Sequence, residues 1–138
     1  MKKRIERLKR KGVVLTIQRI GVLEILHNSP NHPTAEEIHK KLLEKYPTLS
    51  LATVYNTLQI LKQAGEIQEL NIGKEKRFDP IPGPHHHFYC RVCERIIDVA
   101  LTCPVLDKGY VDNHKIENVQ AVFFGICADC QKKEGKNA

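Results

Sequence analysis

Nine consecutive residues, His85-His86-His87-Phe88-Tyr89-Cys90-Arg91-Val92-Cys93, hold three imidazoles and two thiols. A second thiol pair follows as Cys127-Ala128-Asp129-Cys130. Two residues between cysteines let both sulfurs reach one metal ion from a tight knuckle. Two such pairs supply the four thiolates of a closed tetrahedral zinc site. Cys90, Cys93, Cys127 and Cys130 are therefore expected to hold one structural zinc ion per chain. The 33 residues between the pairs exceed a short zinc-ribbon spacing, so other structure must lie between them. A four-cysteine site leaves no open position for water, and the chain has no HExxH or HxE motif, which argues against a zinc enzyme. A CxxC disulfide oxidoreductase is also disfavoured, because its motif opens a helix after a strand and has no second CxxC.

The histidines are left over from the zinc, and they point to a second metal. In an extended strand alternate residues share a face, so His85 and His87 point one way and His86 the other. Asp98 falls on the next expected strand. Asp79 ends an expected wing, and His32 lies in a loop before a helix. Two or three imidazoles with two carboxylates form a mixed nitrogen and oxygen site suited to Fe(II) or Mn(II), with Zn(II) as competitor. Spacing alone singles out His85, His87 and Asp98. His27, His39, His86 and His114 read as non-ligands, and Cys103 as a half-buried structural thiol.

Residues 2–11 read as a basic helix or arm. Thr16 caps a helix over 17–27 with a broad apolar stripe of Ile17, Ile20, Val22, Leu23, Ile25 and Leu26. Thr34-Ala-Glu-Glu37 is a capping box opening a helix to about Tyr46. Ser50 caps a helix to Ala64, with Gly65 as its stop. Leu51, Val54, Leu58 and Leu61 form its core stripe. Its other face carries Ala52, Thr53, Asn56, Gln59 and Gln63, small polar groups suited to base edges, with Tyr55 on the flank. Strands near 67–71 and 76–78 complete a winged helix-turn-helix. The Pro-rich run 80–84 is a stiff linker. After it come strands near 87–90 and 95–99, a helix from Thr102 to about Asp112, a long strand over 115–125 and a short helix at the second knuckle. The fold class is thus α+β, with a winged helix at 1–80, a hinge at 81–84 and a small α/β domain at 85–138. The apolar run 119–126 points to a sheet that pairs across a dimer.

Residues 1–80 carry 15 Lys and Arg against 9 Asp and Glu, while the remainder carries 7 of each. The basic half is the part fitted to a polyanion, and double-stranded DNA is the first expectation. Lys and Arg of the arm and wing, Lys74 and Lys76 among them, are expected at phosphates, and Thr53, Tyr55 and Asn56 near bases. No 18-residue apolar run or signal-peptide pattern occurs, so a cytoplasmic protein with no membrane partner is expected. The paired cysteines fit a reducing compartment.

Over nearly its whole length the sequence resembles the Fur family of metal-dependent repressors. The matching pieces are His-Pro-Thr-Ala-Glu-Glu at 32–37, Ala-Thr-Val-Tyr-Asn-Thr-Leu at 52–58, Arg-Phe-Asp at 77–79, the segment 85–93 and Gly-Ile-Cys-Ala-Asp-Cys at 125–130. The resemblance implies a homodimer with an N-terminal winged helix and a C-terminal α/β dimerisation domain. It implies zinc on the four cysteines. It also implies one regulatory Fe(II) or Mn(II) per chain on His32, Asp79, His85, His87 and Asp98. The likeness is strongest to the peroxide-sensing, PerR-like branch: iron sensors usually carry Glu where Asp98 stands here, and Arg where Asn56 stands. A further metal site of iron and zinc sensors is expected to be absent, because its positions read Pro84 and Asn118-Val119. The implied protein is a repressor of a near-palindromic operator. In such sensors peroxide reacts with bound Fe(II) and oxidises a ligand imidazole, by resemblance His32 or His85, and DNA is released. The alternative is an iron- or zinc-responsive repressor that releases DNA by losing its metal.

Overall fold

A computed structural model describes residues 1–29, 31–80, 86–100, 108–117 and 121–135. The chain divides into two compact units, Met1–Pro82 and Gly83–Ala138. Among the described residues no helix is long and apolar enough to cross a membrane.

The first unit contains α1 (Lys2–Arg10), α2 (Ile17–Asn28), α3 (Ala35–Leu43), α4 (Leu51–Gln63) and a hairpin of β1 (Gln68–Leu70) with β2 (Arg77–Asp79). Side-chain oxygens of Thr16, Thr34 and Ser50 each accept the backbone N–H three residues on, satisfying an otherwise orphaned donor at the start of α2, α3 and α4. Gly65, at φ 76, turns the chain out of α4 in a left-handed conformation that costs glycine little. Val22, Leu23 and Leu26 of α2, Ile38 of α3 and Val54, Leu58 and Leu61 of α4 form one core with Phe78 of β2. Two expectations change. Ile17 is 71% exposed, so the buried stripe of α2 starts later than its apolar pattern. Helix α3 stops at Leu43, and the turn to Tyr46 is held by an i to i−3 bond from Lys45 N–H and an i to i−4 bond from Tyr46 N–H, both to the Leu42 carbonyl.

In the second unit, β3 (His86–Cys90) is the central strand of a three-stranded sheet. It pairs antiparallel with β4 (Ile96–Val99) and parallel with β7 (Val122–Gly125). Between them β5 (Tyr110–Val111) and β6 (His114–Lys115) form a two-residue hairpin. Asp112 at φ 47 and Asn113 at φ 68 sit at its tip, the pair of positive φ values that a tight hairpin turn requires. This corrects the sequence expectation of a helix to Asp112 and one long strand over 115–125. Most of that helix lies outside the described residues; Lys108 is helical, but Tyr110–Val111 is strand. The turn places Lys115 in the hairpin, and the described strand that joins the sheet is Val122–Gly125. The last described element is α5 (Ala128–Gly135).

Helix α1 is not a free arm. Leu8 is fully buried in the core of the first unit. Arg7 donates to both Glu66 carboxylate oxygens at 2.8 and 3.2 Å, and Arg4 donates to the Pro80 carbonyl. Glu66 is only 2% exposed. The Arg7 hydrogen bonds, opposed by burial, hold its carboxyl below the ordinary carboxylate range. A depressed folded-state pKa contributes stability above the unfolded value, and that contribution is lost as pH falls through the folded value. Glu66→Gln should therefore lower the stability at neutral pH, seen as a lower urea midpoint. The gap from wild type should close on acidification, as followed by far-UV circular dichroism.

Candidate metal centres and nucleic-acid interface

The turn after β3 and the start of α5 bring Cys90, Cys93, Cys127 and Cys130 together, each as a free thiol. Their sulfurs lie within 4.8 Å of one another. Cys93 Sγ and Cys127 Sγ are 3.9 Å apart. A tetrahedron with metal–sulfur bonds of about 2.3 Å has edges of about 3.8 Å, whereas a disulfide needs about 2.05 Å. The four donors thus fit a tetrahedral thiophilic cation. The Cys93 and Cys127 N–H groups donate to Cys90 Sγ at 3.5 and 3.3 Å. With the Cys93 donor leading, they bring the Cys90 thiol down to about 6. Cys130 is pushed up to about 12, first by its contact with Cys127 and then by burial. Arg95, two residues past the first knuckle, reaches the second, with its guanidinium 3.9 Å from Cys127 Sγ and 3.2 Å from an Asp129 carboxylate oxygen.

The predicted histidine and aspartate ligands fall into two pairs, one in each unit. In the first unit, Asp79 ends β2 and is fully buried, and His32 is 2% exposed. His32 Nδ1 lies 3.9 Å from Asp79 Oδ1. Burial pushes the nearby Arg4 guanidinium below its ordinary value against the pull of Glu66 and Asp79. In the second unit, the antiparallel register sets His87 directly opposite Asp98. His87 Nε2 lies 3.5 Å from Asp98 Oδ1, with the imidazole buried and the carboxylate half-exposed. Two donors bound about 2.1 Å from one ion sit roughly 3.0–3.5 Å apart. The His87–Asp98 pair reaches that spacing, and His32–Asp79 is a few tenths of an ångström wider. His85 lies outside the described residues. His86 faces elsewhere: it is buried, and its Nδ1 accepts the Ala121 N–H at 3.2 Å. His39 Nε2 is tied to the Leu49 carbonyl at 2.7 Å.

On α4, Val54, Thr57, Leu58 and Leu61 point into the core and Ala52, Asn56, Gln59 and Gln63 into solvent. Thr53 is partly occupied at the helix start, its hydroxyl 2.8 Å from Ser50 Oγ. Tyr55 is 42% exposed, and its hydroxyl donates to Glu36 of α3 at 2.6 Å. That bond lowers the Glu36 carboxyl and raises the Tyr55 phenol from their ordinary values. Lys74 and Lys76 are exposed between β1 and β2, with Lys76 3.2 Å from Glu69.

Sequence reasoning missed Arg77, Arg95 and Glu36. Arg77 donates to the His32 carbonyl at 3.2 Å. It stands two residues from Asp79, the period of one strand face, which was a usable signal. Arg95 and Glu36 reach their partners only through the tertiary fold and left no such signal.

The Ferric uptake regulator family matches residues 10–122 of this chain. The "Peroxide operon regulator" of Bacillus subtilis (strain 168) is 39% identical over 97% of this chain and 95% of its own length. Among solved structures, the ferric uptake regulator Fur of Helicobacter pylori, described as having three functional metal binding sites, is 25% identical with a TM-score of 0.72 and covers 94% of this chain and 90% of its own. PerR from Streptococcus pyogenes, solved as a basis for peroxide sensing and gene regulation, is 29% identical with a TM-score of 0.54 and covers 94% and 91%.

Cys127→Ser removes one of the four sulfurs and should abolish stoichiometric zinc, together with hydrogen-exchange protection in the second unit, while the helices of the first unit stay protected. Arg95→Ala should retain zinc but surrender it to a chelator about tenfold faster, the lower end of what loss of a ligand's supporting partner costs. Metal analysis and a colorimetric release assay read both outcomes.

Proposed function

Because this chain belongs to the ferric uptake regulator family, we propose that it is a metal-dependent transcriptional repressor of double-stranded DNA that senses peroxide. The observation that carries this reading is the pair of imidazole–carboxylate sets, both built on Asp, in a chain whose relatives are named for peroxide response. Zinc on Cys90, Cys93, Cys127 and Cys130 staples the second unit. Among the described residues, that unit gathers Cys90, Cys127 and Cys130 with Phe88, Ile97 and Ile126 and also buries Ile96, and a domain this small rarely stands without a metal or a partner.

His32, Asp79, His85, His87 and Asp98 are the proposed ligands of one regulatory Fe(II) or Mn(II) per chain. Ligands drawn from both units favour the one arrangement in which all are satisfied, and a differential affinity of about 2.7 kcal/mol shifts that equilibrium roughly a hundredfold. Bound Fe(II) would supply the reduction of hydrogen peroxide, with the imidazole of His32 or His85 as the group oxidised. An oxidised imidazole is a poorer donor, so the ligand set then loses its hold and DNA is released. No enzymatic turnover is involved, and the protein acts in the cytoplasm.

The repressor works as a homodimer. β7 lies at the edge of the described sheet with Phe123 41% and Phe124 70% exposed, an apolar edge that a second copy would cover. Two copies of α4 would then enter successive major grooves of a near-palindromic operator. Asn56, Thr53 and Tyr55 approach bases, and Lys74, Lys76 and the outward lysines of α1 approach phosphates.

The inward Arg4, Arg7 and Leu8 make deletion of residues 2–11 a stability experiment. The cleaner substitutions are Lys3→Gln and Lys9→Gln, both at exposed positions. Each should reduce the slope of log affinity against log salt by about one. Asn56→Ala should relax base preference by about 1–3 kcal/mol at one position of the site, with little change in salt slope.

The deciding experiment concerns Asp98. Wild type loaded with Fe(II) should bind operator DNA, release it when peroxide is added, and gain one oxygen atom on His32 or His85 by mass spectrometry. With Mn(II) it should bind and ignore peroxide. Asp98→Glu, one methylene longer, should bind with Fe(II) and stay bound after peroxide. Fe(II) protein that holds DNA with unmodified histidines would replace peroxide sensing with a simple iron- or zinc-responsive repressor.

A further inference from the structure

We infer that Arg77 is a positioning residue for the regulatory metal, holding the His32 loop in the conformation that brings its imidazole to Asp79. The inference rests on the reading of His32 and Asp79 as metal ligands. His32 has φ 48, a left-handed conformation that costs a residue with a Cβ roughly 1 kcal/mol. Pro33 follows it and lacks an N–H of its own, so no donor at that position can fasten the turn. The loop therefore needs bonds from outside, and β2 supplies two of them. Phe78 N–H donates to the Pro33 carbonyl at 3.1 Å. Arg77 Nη1 donates to the His32 carbonyl at 3.2 Å.

Strand alternation explains how three consecutive residues do this. Phe78 turns into the core, where it is 3% exposed. Arg77 and Asp79 share the other face, so the strand that offers the carboxylate also grips the backbone of the imidazole. The Arg77 guanidinium lies further 3.6 Å from Glu37 and 3.8 Å from Glu75. Both carboxylates are more than half exposed, and such screened pairs contribute roughly 0–1 kcal/mol each. Their role is to hold the guanidinium, whose five donors form a rigid planar fork, whereas an ammonium group offers three rotatable donors on a flexible stem. The specific contact is the one to the His32 carbonyl.

The test is Mn(II) titration of the full zinc-loaded chain. Arg77→Gln should weaken Mn(II) binding about tenfold or more, the usual consequence of removing a group that orients a ligand, with zinc content and helical circular dichroism unchanged. Arg77→Lys should fall between it and wild type. Glu75→Gln, which leaves the carbonyl contact intact, should keep wild-type Mn(II) affinity. A merely structural role would lower the unfolding midpoint and leave Mn(II) affinity where it is, and that result overturns the assignment. Unfolding of both Arg77 variants would do the same. A wild type that binds no Mn(II) beside its zinc overturns the regulatory-metal reading itself. Tight wild-type binding with unchanged affinity in Arg77→Gln overturns only the role of Arg77.

Discussion

Four sulfurs held within 4.8 Å of one another cannot all carry charge unless a cation sits among them. The second unit is built on that constraint. Two backbone N–H groups aimed at Cys90 prepare one thiolate, while Cys130 keeps its proton against the neighbouring sulfur. A cation removes the conflict and ties the turn after β3 to the start of α5. A unit this small buries too little surface for packing alone to oppose its conformational entropy, so the tie matters. The sheet that carries His87 and Asp98 depends on the same tie, because β3 runs straight into Cys90.

The two imidazole–carboxylate pairs are made in different ways. His87 and Asp98 meet because an antiparallel register sets them opposite one another, and any slip of one residue would send the side chains to opposite faces. His32 and Asp79 meet because a loop with a left-handed residue is held against β2. The first pair is a property of a regular ladder. The second is a strained turn held by the side chain of Arg77 and the main chain of Phe78. Strain of this kind persists only where surrounding structure over-determines it, and it concentrates at functional positions.

Basic residues divide by the same logic of partnership. Arg4 and Arg7 of α1 are turned inward onto Pro80 and Glu66, while Lys3, Lys9 and Arg10 stay in solvent. Lys62 and Lys76 flank Glu69 at 3.1 and 3.2 Å. Burial works against ionisation of Glu69, but these two hydrogen bonds bring its carboxyl below the usual range. Formal charge therefore overstates what the first unit offers to phosphates, and the outward positions are the ones that count.

The four cysteines were legible in the sequence because a CxxC knuckle is a local object, and their types name the cation. The helix starts at Thr16, Thr34 and Ser50 were legible for the same reason, since a cap acts over three residues. So were the inward and outward faces of α4, which follow from a 3.6-residue period. Spacing also singled out His85, His87 and Asp98 as ligand candidates; His85 lies outside the described residues, and the approach of His87 to Asp98 is set by register. What lay beyond the sequence depended on distant partners. Nothing in Lys2–Lys11 announces that Arg7 will meet Glu66, 59 residues away. The apolar run after residue 115 reads as one long strand, but the φ values at Asp112 and Asn113 turn the chain into a hairpin first. Arg77 stands in plain view beside Asp79, yet its hold on His32 crosses 45 residues. Local chemistry is written in neighbouring letters, whereas a contact between remote segments exists only once packing has chosen which faces meet.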